Sequence, residues 1–232
     1  MKTCVVIPAY NAKKHIAEVI TRCLPQVDTV IVVDDGSTDY TGIIAIHNKA
    51  TITHRQWPNK GIGAALRMGF RIALSEAVNA DIIISLDADG QHAPEEIPVL
   101  IAPILQGKAD MVIGTRFDTK SKVPVYRKFG IDMINLSFNI FNSRPLRDTQ
   151  SGFRAYKKEV LQKLTIEEDR FSYSTEVLVK IRHMGLRINE VPIECIYHKE
   201  LHENSTSNPI SHGLSVLLKT LYWRLKVEHP FN

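Results

Sequence analysis

The chain has 232 residues, 44 % hydrophobic and 23 % charged, which suits one large folded domain and argues against a disordered chain. A formal net charge of +4 fits an anionic ligand or an anionic membrane surface, and does not by itself indicate nucleic acid. Three widely spaced cysteines (Cys4, Cys23 and Cys195) without a Cys-x-x-Cys argue against a disulfide framework or zinc site and read as buried free thiols in a reducing compartment.

Short β-branched runs bounded by turn or polar residues predict strands over Thr3 to Ile7, Thr29 to Val33, Asp81 to Leu86 and Asp110 to Ile113. Helical patterns lie between them, over Lys13 to Cys23, Asp39 to Asn48, Gly61 to Val78 and Pro94 to Leu105. This alternation implies an α/β fold, a mostly parallel sheet flanked by helices, which binds ligands at the carboxyl ends of its strands. The second half is less regular. It predicts an amphipathic helix over Val125 to Phe141, a helix over Ser174 to Met184 and a strand over Arg187 to Tyr197, with Pro192 at a bulge or edge. A last helix covers Leu214 to Val227. No repeat or flexible linker divides the chain, so residues 1–232 are expected to form a single domain.

The loops at the strand ends carry the candidate chemistry. The first strand runs into Pro8-Ala9-Tyr10-Asn11 and the second into Asp34-Asp35-Gly36-Ser37-Thr38-Asp39. Asp39 or Ser37 suits a helix cap, and the extra carboxylates can accept hydrogen bonds from a base or ribose. The third strand runs into Asp87-Ala88-Asp89-Gly90-Gln91-His92. Carboxylates spaced Asp-x-Asp offer hard oxygens to Mg²⁺ or Mn²⁺, with waters and substrate phosphate completing the shell, and the ion stabilises a departing pyrophosphate. The plain alternative is a solvated turn ahead of a helix that has Pro94 at its start. Asn59-Lys60-Gly61-Ile62-Gly63 has Leu66 where a dinucleotide fingerprint has its third glycine, and it lacks a Walker lysine. Its glycines therefore point to close backbone approach or tight packing. Arg116, in Gly114-Thr115-Arg116-Phe117, suits either a phosphate clamp or a surface ion pair.

Together, Val6 to Asn11, Val32 to Asp39, Asp87 to His92 and Gly114 to Phe117, in this order, resemble a family-2 glycosyltransferase of GT-A fold. Within that family, Asp148-Thr149-Gln150-Ser151-Gly152-Phe153-Arg154-Ala155 and Ser205 to Gly213 are similar to the dolichol-phosphate mannose synthase group and its archaeal polyprenyl-phosphate relatives. The resemblance implies that Pro8, Tyr10, Val33 and Asp35 surround the base and ribose. It implies that Asp87, Ala88, Asp89 and Gln91 form the metal and diphosphate site, with Asp89 and Gln91 as direct ligands of Mg²⁺ or Mn²⁺. Arg116 would face phosphate, and Arg127 would meet the acceptor phosphate with Ser151 and Gly152 nearby. Residues 1–118 would then be the donor and metal half, and 119–232 the acceptor half. Two positions depart from the family pattern. Ala12 stands where an acid often follows Tyr-Asn, and His198 and Lys199 occupy the place of a late basic stretch.

The expected reaction is transfer of a sugar, with inversion, from a UDP- or GDP-linked donor to a polyprenyl (dolichyl) phosphate. Similarity leans towards UDP. Glucose, N-acetylglucosamine and mannose stay open, as does the oligomeric state. A hydroxyl acceptor, a sugar nucleotidyltransferase and a non-catalytic binding module are the other readings. The N-terminal apolar run is too short for a signal peptide, and no stretch approaches the roughly 20 apolar residues of a membrane span. The protein is expected in the cytoplasm, soluble or peripheral on the cytoplasmic face of the membrane. The helices over Val125 to Phe141 and Leu214 to Val227 could lie in the interface, with Trp223, Lys219, Arg224 and Lys226 at headgroup level.

Overall fold

β1 (Thr3–Ala9) and β2 (Thr29–Asp35) are nearly continuous runs of β-branched and small residues, and their interiors are buried on both faces. Strands of this composition need helices above and below them. The computed structural model describes residues 1–116, 135–136, 138–139, 145–196 and 209–228. Arg127, His198 and Lys199 lie outside the described residues, as does most of 125–141.

After β1 and β2 come β3 (Ile52–Gln56), β4 (Ile82–Ser85), β5 (Met111–Thr115), β6 (Arg154–Lys157) and β7 (Ile188–Pro192). They form one sheet of order β3-β2-β1-β4-β6-β5-β7. All neighbours are parallel except β6, which runs antiparallel between β4 and β5. The register sets Pro8 beside Val33 and Ala9 beside Asp34, so the first two loops leave the sheet side by side.

Alternation along each strand sorts the core into two layers. Val5 and Ile7 face α1 (Ile16–Cys23), α2 (Thr41–His47) and α4 (Ile97–Leu105). Cys4 and Val6 face α3 (Ile62–Leu74), α5 (Lys158–Lys163), α6 (Tyr173–His183) and α7 (Pro209–Glu228). Cys4, Cys23 and Cys195 are buried free thiols, and burial pushes the first two up to about 12.

Several elements differ from expectation. β3, β6 and α5 have no counterpart in the sequence reading. β3 reads Ile-Thr-His-Arg-Gln, too polar to signal a strand, because it is a half-exposed edge. α3 stops at Leu74, where Ser75 turns to extended backbone. The strand expected over 187–197 ends at Pro192 on the opposite edge, where a missing N–H costs no ladder bond.

α7 corrects a further expectation. Trp223 does not face outward but is 2 % exposed, and its Nε1 donates to Glu168 Oε1 at 3.0 Å. Lys219 and Lys226 pair with Glu168 and Glu167, each at 2.7 Å. Leu218, Leu221, Tyr222 and Leu225 form the exposed stripe instead. No described helix is long and apolar enough to cross a membrane.

Candidate active site

The carboxyl ends of β1, β2 and β4 open into a cleft of about 780 Å³. Its first wall is a laced pair of loops. Asn11 sits at φ 51°, a conformation asparagine tolerates, and its Oδ1 accepts from Thr38 N at 2.9 Å. Asn11 N donates to Ser37 Oγ at 3.0 Å, Ala12 N to Thr41 Oγ1 at 2.8 Å, and Lys13 N to Asp39 Oδ2 at 3.2 Å. Gly36 turns the chain at φ 75°, and a Cβ there would lie 2.7 Å from Asn59 N, so that turn requires glycine.

The two adjacent aspartates at the end of β2 have internal duties. Asp34 Oδ1 accepts from Ser37 N at 2.9 Å, closing the turn. Asp35 accepts from Gln56 Nε2, Asn59 Nδ2, Lys60 N and Gly61 N, the last at 2.7 Å. It therefore shapes the cleft wall by tying β2 to the segment that opens α3. Gly61 and Gly63 serve packing, as one of the sequence alternatives has it. A Cβ on either would meet Asp169 O or Glu168 O at 2.4 and 2.1 Å respectively.

The second wall is the loop after β4. His92 is buried, with its Nε2 3.6 Å from Asp87 Oδ2 and its ring 5.4 Å from that of Phe153. Burial pushes the Asp87 carboxyl up, but contact with His92 and the charges of His92, Arg116 and Arg154 outweigh it and hold the group below its ordinary range. Asp89 moves the other way, pushed up by burial and then by the charge of Asp87. Asp89 Oδ1 accepts from Gln91 N at 2.9 Å, which tightens the loop. Two carboxylates confined so that one resists ionisation form a site that a divalent cation relieves. Among the described residues no group of three His, Cys, Asp or Glu side chains could hold a metal, so an ion here would need substrate and water oxygens to complete its shell.

The Ser151-Gly152 segment meets this wall directly. A Cβ on Gly152 would lie 2.3 Å from Asp87 Oδ2, and Gly152 O accepts from Ser85 Oγ at 2.7 Å. Behind it, Arg154 is fully buried, donating to Ser151 O and Thr149 O at 2.7 Å each. β6 thus delivers residues 149–152 to the Asp87 loop.

The structure gathers most of the predicted residues and displaces some. Pro8, Tyr10, Asp35, Asp87, Ala88 and Asp89 line the cleft. Val33 does not, being fully buried against α3 near Gly69. Ser151 is also buried. Arg116 is held side-on by Asp148, with Nε at 2.7 Å and a terminal nitrogen at 2.8 Å, so its field reaches Asp87 while its guanidinium is engaged elsewhere. The Gln91 side chain lies 4.0 Å from Cys195 Sγ, outside the cleft lining. Sequence reasoning missed Lys13, Lys14, His15, Arg170 and Phe171, which also line the cleft. Lys13 and Lys14 were legible as cations just before α1, with His15 beside them. Arg170 and Phe171, far along the chain, carried no local signal.

The sequence model described as Glycosyl transferase family 2 matches residues 4–165. The chain is 34 % identical over 218 residues to UDP-N-acetylglucosamine–dolichyl-phosphate N-acetylglucosaminyltransferase of Methanococcus voltae, covering 83 % of this chain and 84 % of that one. It is 32 % identical to undecaprenyl-phosphate mannosyltransferase of Micrococcus luteus, covering 90 % and 89 %. Among solved structures, glucosyl-3-phosphoglycerate synthase of Mycobacterium tuberculosis, crystallised with Mn²⁺, UDP and glucosyl-3-phosphoglycerate, superposes with a TM-score of 0.69. That match has 21 % identity and covers 97 % of this chain and 79 % of that one, a likeness of fold.

Proposed function

The chain belongs to glycosyl transferase family 2 and has the GT-A fold, and from that premise we propose that it moves a sugar from a nucleotide-sugar to a polyprenyl phosphate with the help of Mg²⁺ or Mn²⁺. The observation that carries this is the contact of Gly152 with Asp87, which brings the loop assigned to the acceptor against the loop assigned to the donor diphosphate. The names and 32–34 % identities of the polyprenyl- and dolichyl-phosphate relatives support the acceptor class.

In this reading Pro8, Tyr10 and the Asp35 wall hold the nucleoside, while Asp87, Ala88 and Asp89 face the diphosphate. Asp89 would hold the ion through its carboxylate, and Gln91 would join it by leaving Cys195. The bound ion would supply positive charge against the departing diphosphate. The chain's own residues do the rest. His92 and Gly152 fix the Asp87 carboxylate, and the Asp148-held Arg116 adds positive potential behind it. The acceptor phosphate, with a second pKa of about 6, is mostly a dianion at neutral pH and needs no general base. One of its oxygens forms the new bond to the anomeric carbon. The old carbon–oxygen bond breaks with its electron pair leaving on the nucleoside diphosphate, and a single in-line displacement inverts the centre. Arg127 and Gly152 are assigned to the acceptor, as are His198 and Lys199, while the buried Ser151 supports that loop through its carbonyl, which accepts from Arg154. Residues 1–118 supply most of the donor half and 119–232 the acceptor half, with Arg170 and Phe171 reaching back to the donor cleft. The exposed Leu218, Leu221, Tyr222 and Leu225 stripe on α7 would rest on the membrane surface that presents the lipid.

The test compares nucleotide release with a short polyprenyl phosphate and with the matching polyprenol. The phosphate alone should stimulate release. Equal stimulation by the alcohol would move the acceptor to a hydroxyl and demand a base that this site has not been assigned.

A further inference from the structure

The segment from Glu167 to Phe171 is clamped from three sides. From α6, the buried Glu176 accepts Glu167 N at 2.7 Å and Glu168 N at 2.8 Å. From α3, Gly63 N donates to Asp169 O at 2.8 Å, and Arg67 reaches Asp169 Oδ1 at 2.6 Å. From α7, Lys219 and Trp223 converge on Glu168 Oε1 at 2.7 and 3.0 Å, and Lys226 takes Glu167 Oε2 at 2.7 Å. The ammonium groups of Lys180 and Lys226 lie over the Trp223 ring, 4.4 and 4.5 Å from its centre. This is far more anchoring than a surface turn needs. The clamped segment ends in the far wall of the cleft. Arg170 lines that wall, exposed and with no ion pair among the described residues. Its Cγ packs so closely on Gly61 that a Cβ there would lie 3.1 Å away, and Gly61 N in turn donates to Asp35.

Resting on the donor reading above, we infer that Arg170 contacts the nucleoside diphosphate, and that Glu168 and Trp223 are positioning residues through which α7 holds Arg170 over the cleft. A guanidinium is suited to this place. It presents a planar fork to phosphate oxygens and a flat face to a base, and it is useful only if its backbone is fixed. The last helix of the chain, whose outer stripe is apolar, thereby reaches the donor side of the site through one loop.

Titration calorimetry of UDP and GDP, each with Mn²⁺, tests this on the full chain. Arg170→Ala should weaken the better nucleotide about tenfold, the effect of one charge-assisted contact. Glu168→Gln and Trp223→Phe should each weaken it several-fold while thermal melts show a folded protein. The decisive arm is the double variant. Arg170→Ala/Trp223→Phe should bind no worse than Arg170→Ala alone, because the positioning acts only through Arg170. Additive losses, or unchanged affinity in folded Trp223→Phe, overturn the positioning role. Unchanged affinity in Arg170→Ala removes Arg170 from the nucleotide. Failure of the folded wild type to bind either nucleotide would overturn the donor reading together with this one.

Discussion

Gly152 is the glycine that meets the Asp87 carboxylate directly. Its Cα faces the Asp87 carboxylate so closely that a methyl group would fall 2.3 Å from Oδ2. Asp87 or the β6 loop must then shift by the better part of an ångström, a displacement that costs about a hundredfold in rate when it affects reacting groups. Gly152→Ala should therefore lower turnover by about that factor. Nucleotide affinity, measured separately, should change far less, since the Asp35 wall is untouched. A second residue-scale outcome concerns Asp89. Burial and the charge of Asp87 raise its carboxyl, so its ionised form opposes folding, and the opposition grows as pH rises through that raised value. Asp89→Asn removes the charge. In metal-free protein at neutral pH it should raise Tm by a few degrees, since roughly 1 kcal/mol corresponds to about 2–4 °C for a chain of this size, and with the ion supplied it should abolish transfer. A lower Tm in the metal-free variant would contradict the repulsion.

Among the elements, the antiparallel strand β6 explains how distant motifs meet. It enters between β4 and β5 and carries Arg154, whose buried guanidinium ties down the carbonyls of Thr149 and Ser151. The sheet edge beyond it is fastened by Asp110, which accepts from Arg187 Nε at 3.0 Å and from Lys157 Nζ at 2.9 Å. Hydrogen bonding from Arg187, followed in order by the opposing effect of burial and the contact with Lys157, leaves the Asp110 carboxyl well below its ordinary 3.8. A depressed carboxylate contributes stability above its unfolded value and loses it as pH falls towards the lowered folded value. Asp110→Asn should thus cost about 1–3 kcal/mol at pH 7, measured by urea unfolding. The gap to wild type should narrow below pH 3.8. A gap independent of pH would mean that the contribution is packing rather than charge.

Strands β1 and β2 and the Asp-x-Asp loop were legible because their signals are local: unbroken β-branched runs, each followed by acidic and turn residues. β3 was hidden by its polar edge composition, and β6 because its four residues, Arg-Ala-Tyr-Lys, hold no alternation. Arg116 and Val33 were correctly placed at strand ends, yet their partners, Asp148 and α3, come from elsewhere in the chain. Sequence spacing gives no hint that Asp148 would claim the guanidinium. The Arg170 wall was invisible for the same reason. It exists only because α3, α6 and α7 converge on one turn.

At the scale of the whole molecule, α7 joins a polar cleft to an apolar helical stripe. Leu218 and Leu225 are 58 % and 53 % exposed, and the cations beside them, Lys219 and Lys226, are turned to the acidic segment at 167–168. Binding to the interface should then depend more on apolar area than on lipid charge. Leu218→Ser/Leu225→Ser should reduce sedimentation with neutral phosphatidylcholine vesicles severalfold, leaving nucleotide affinity intact. Equal sedimentation of both proteins would remove the stripe from the membrane.

The most direct measurement is mass-spectrometric detection of glycosyl-lipid after incubating the protein with Mn²⁺ or Mg²⁺, a short polyprenyl phosphate and each common UDP- or GDP-sugar. A glycosyl phosphoryl lipid should form from one donor and be lost on chelation of the metal and in Asp89→Ala. Absence of that lipid with every donor, from folded protein that still releases nucleotide, would contradict transfer to a polyprenyl phosphate.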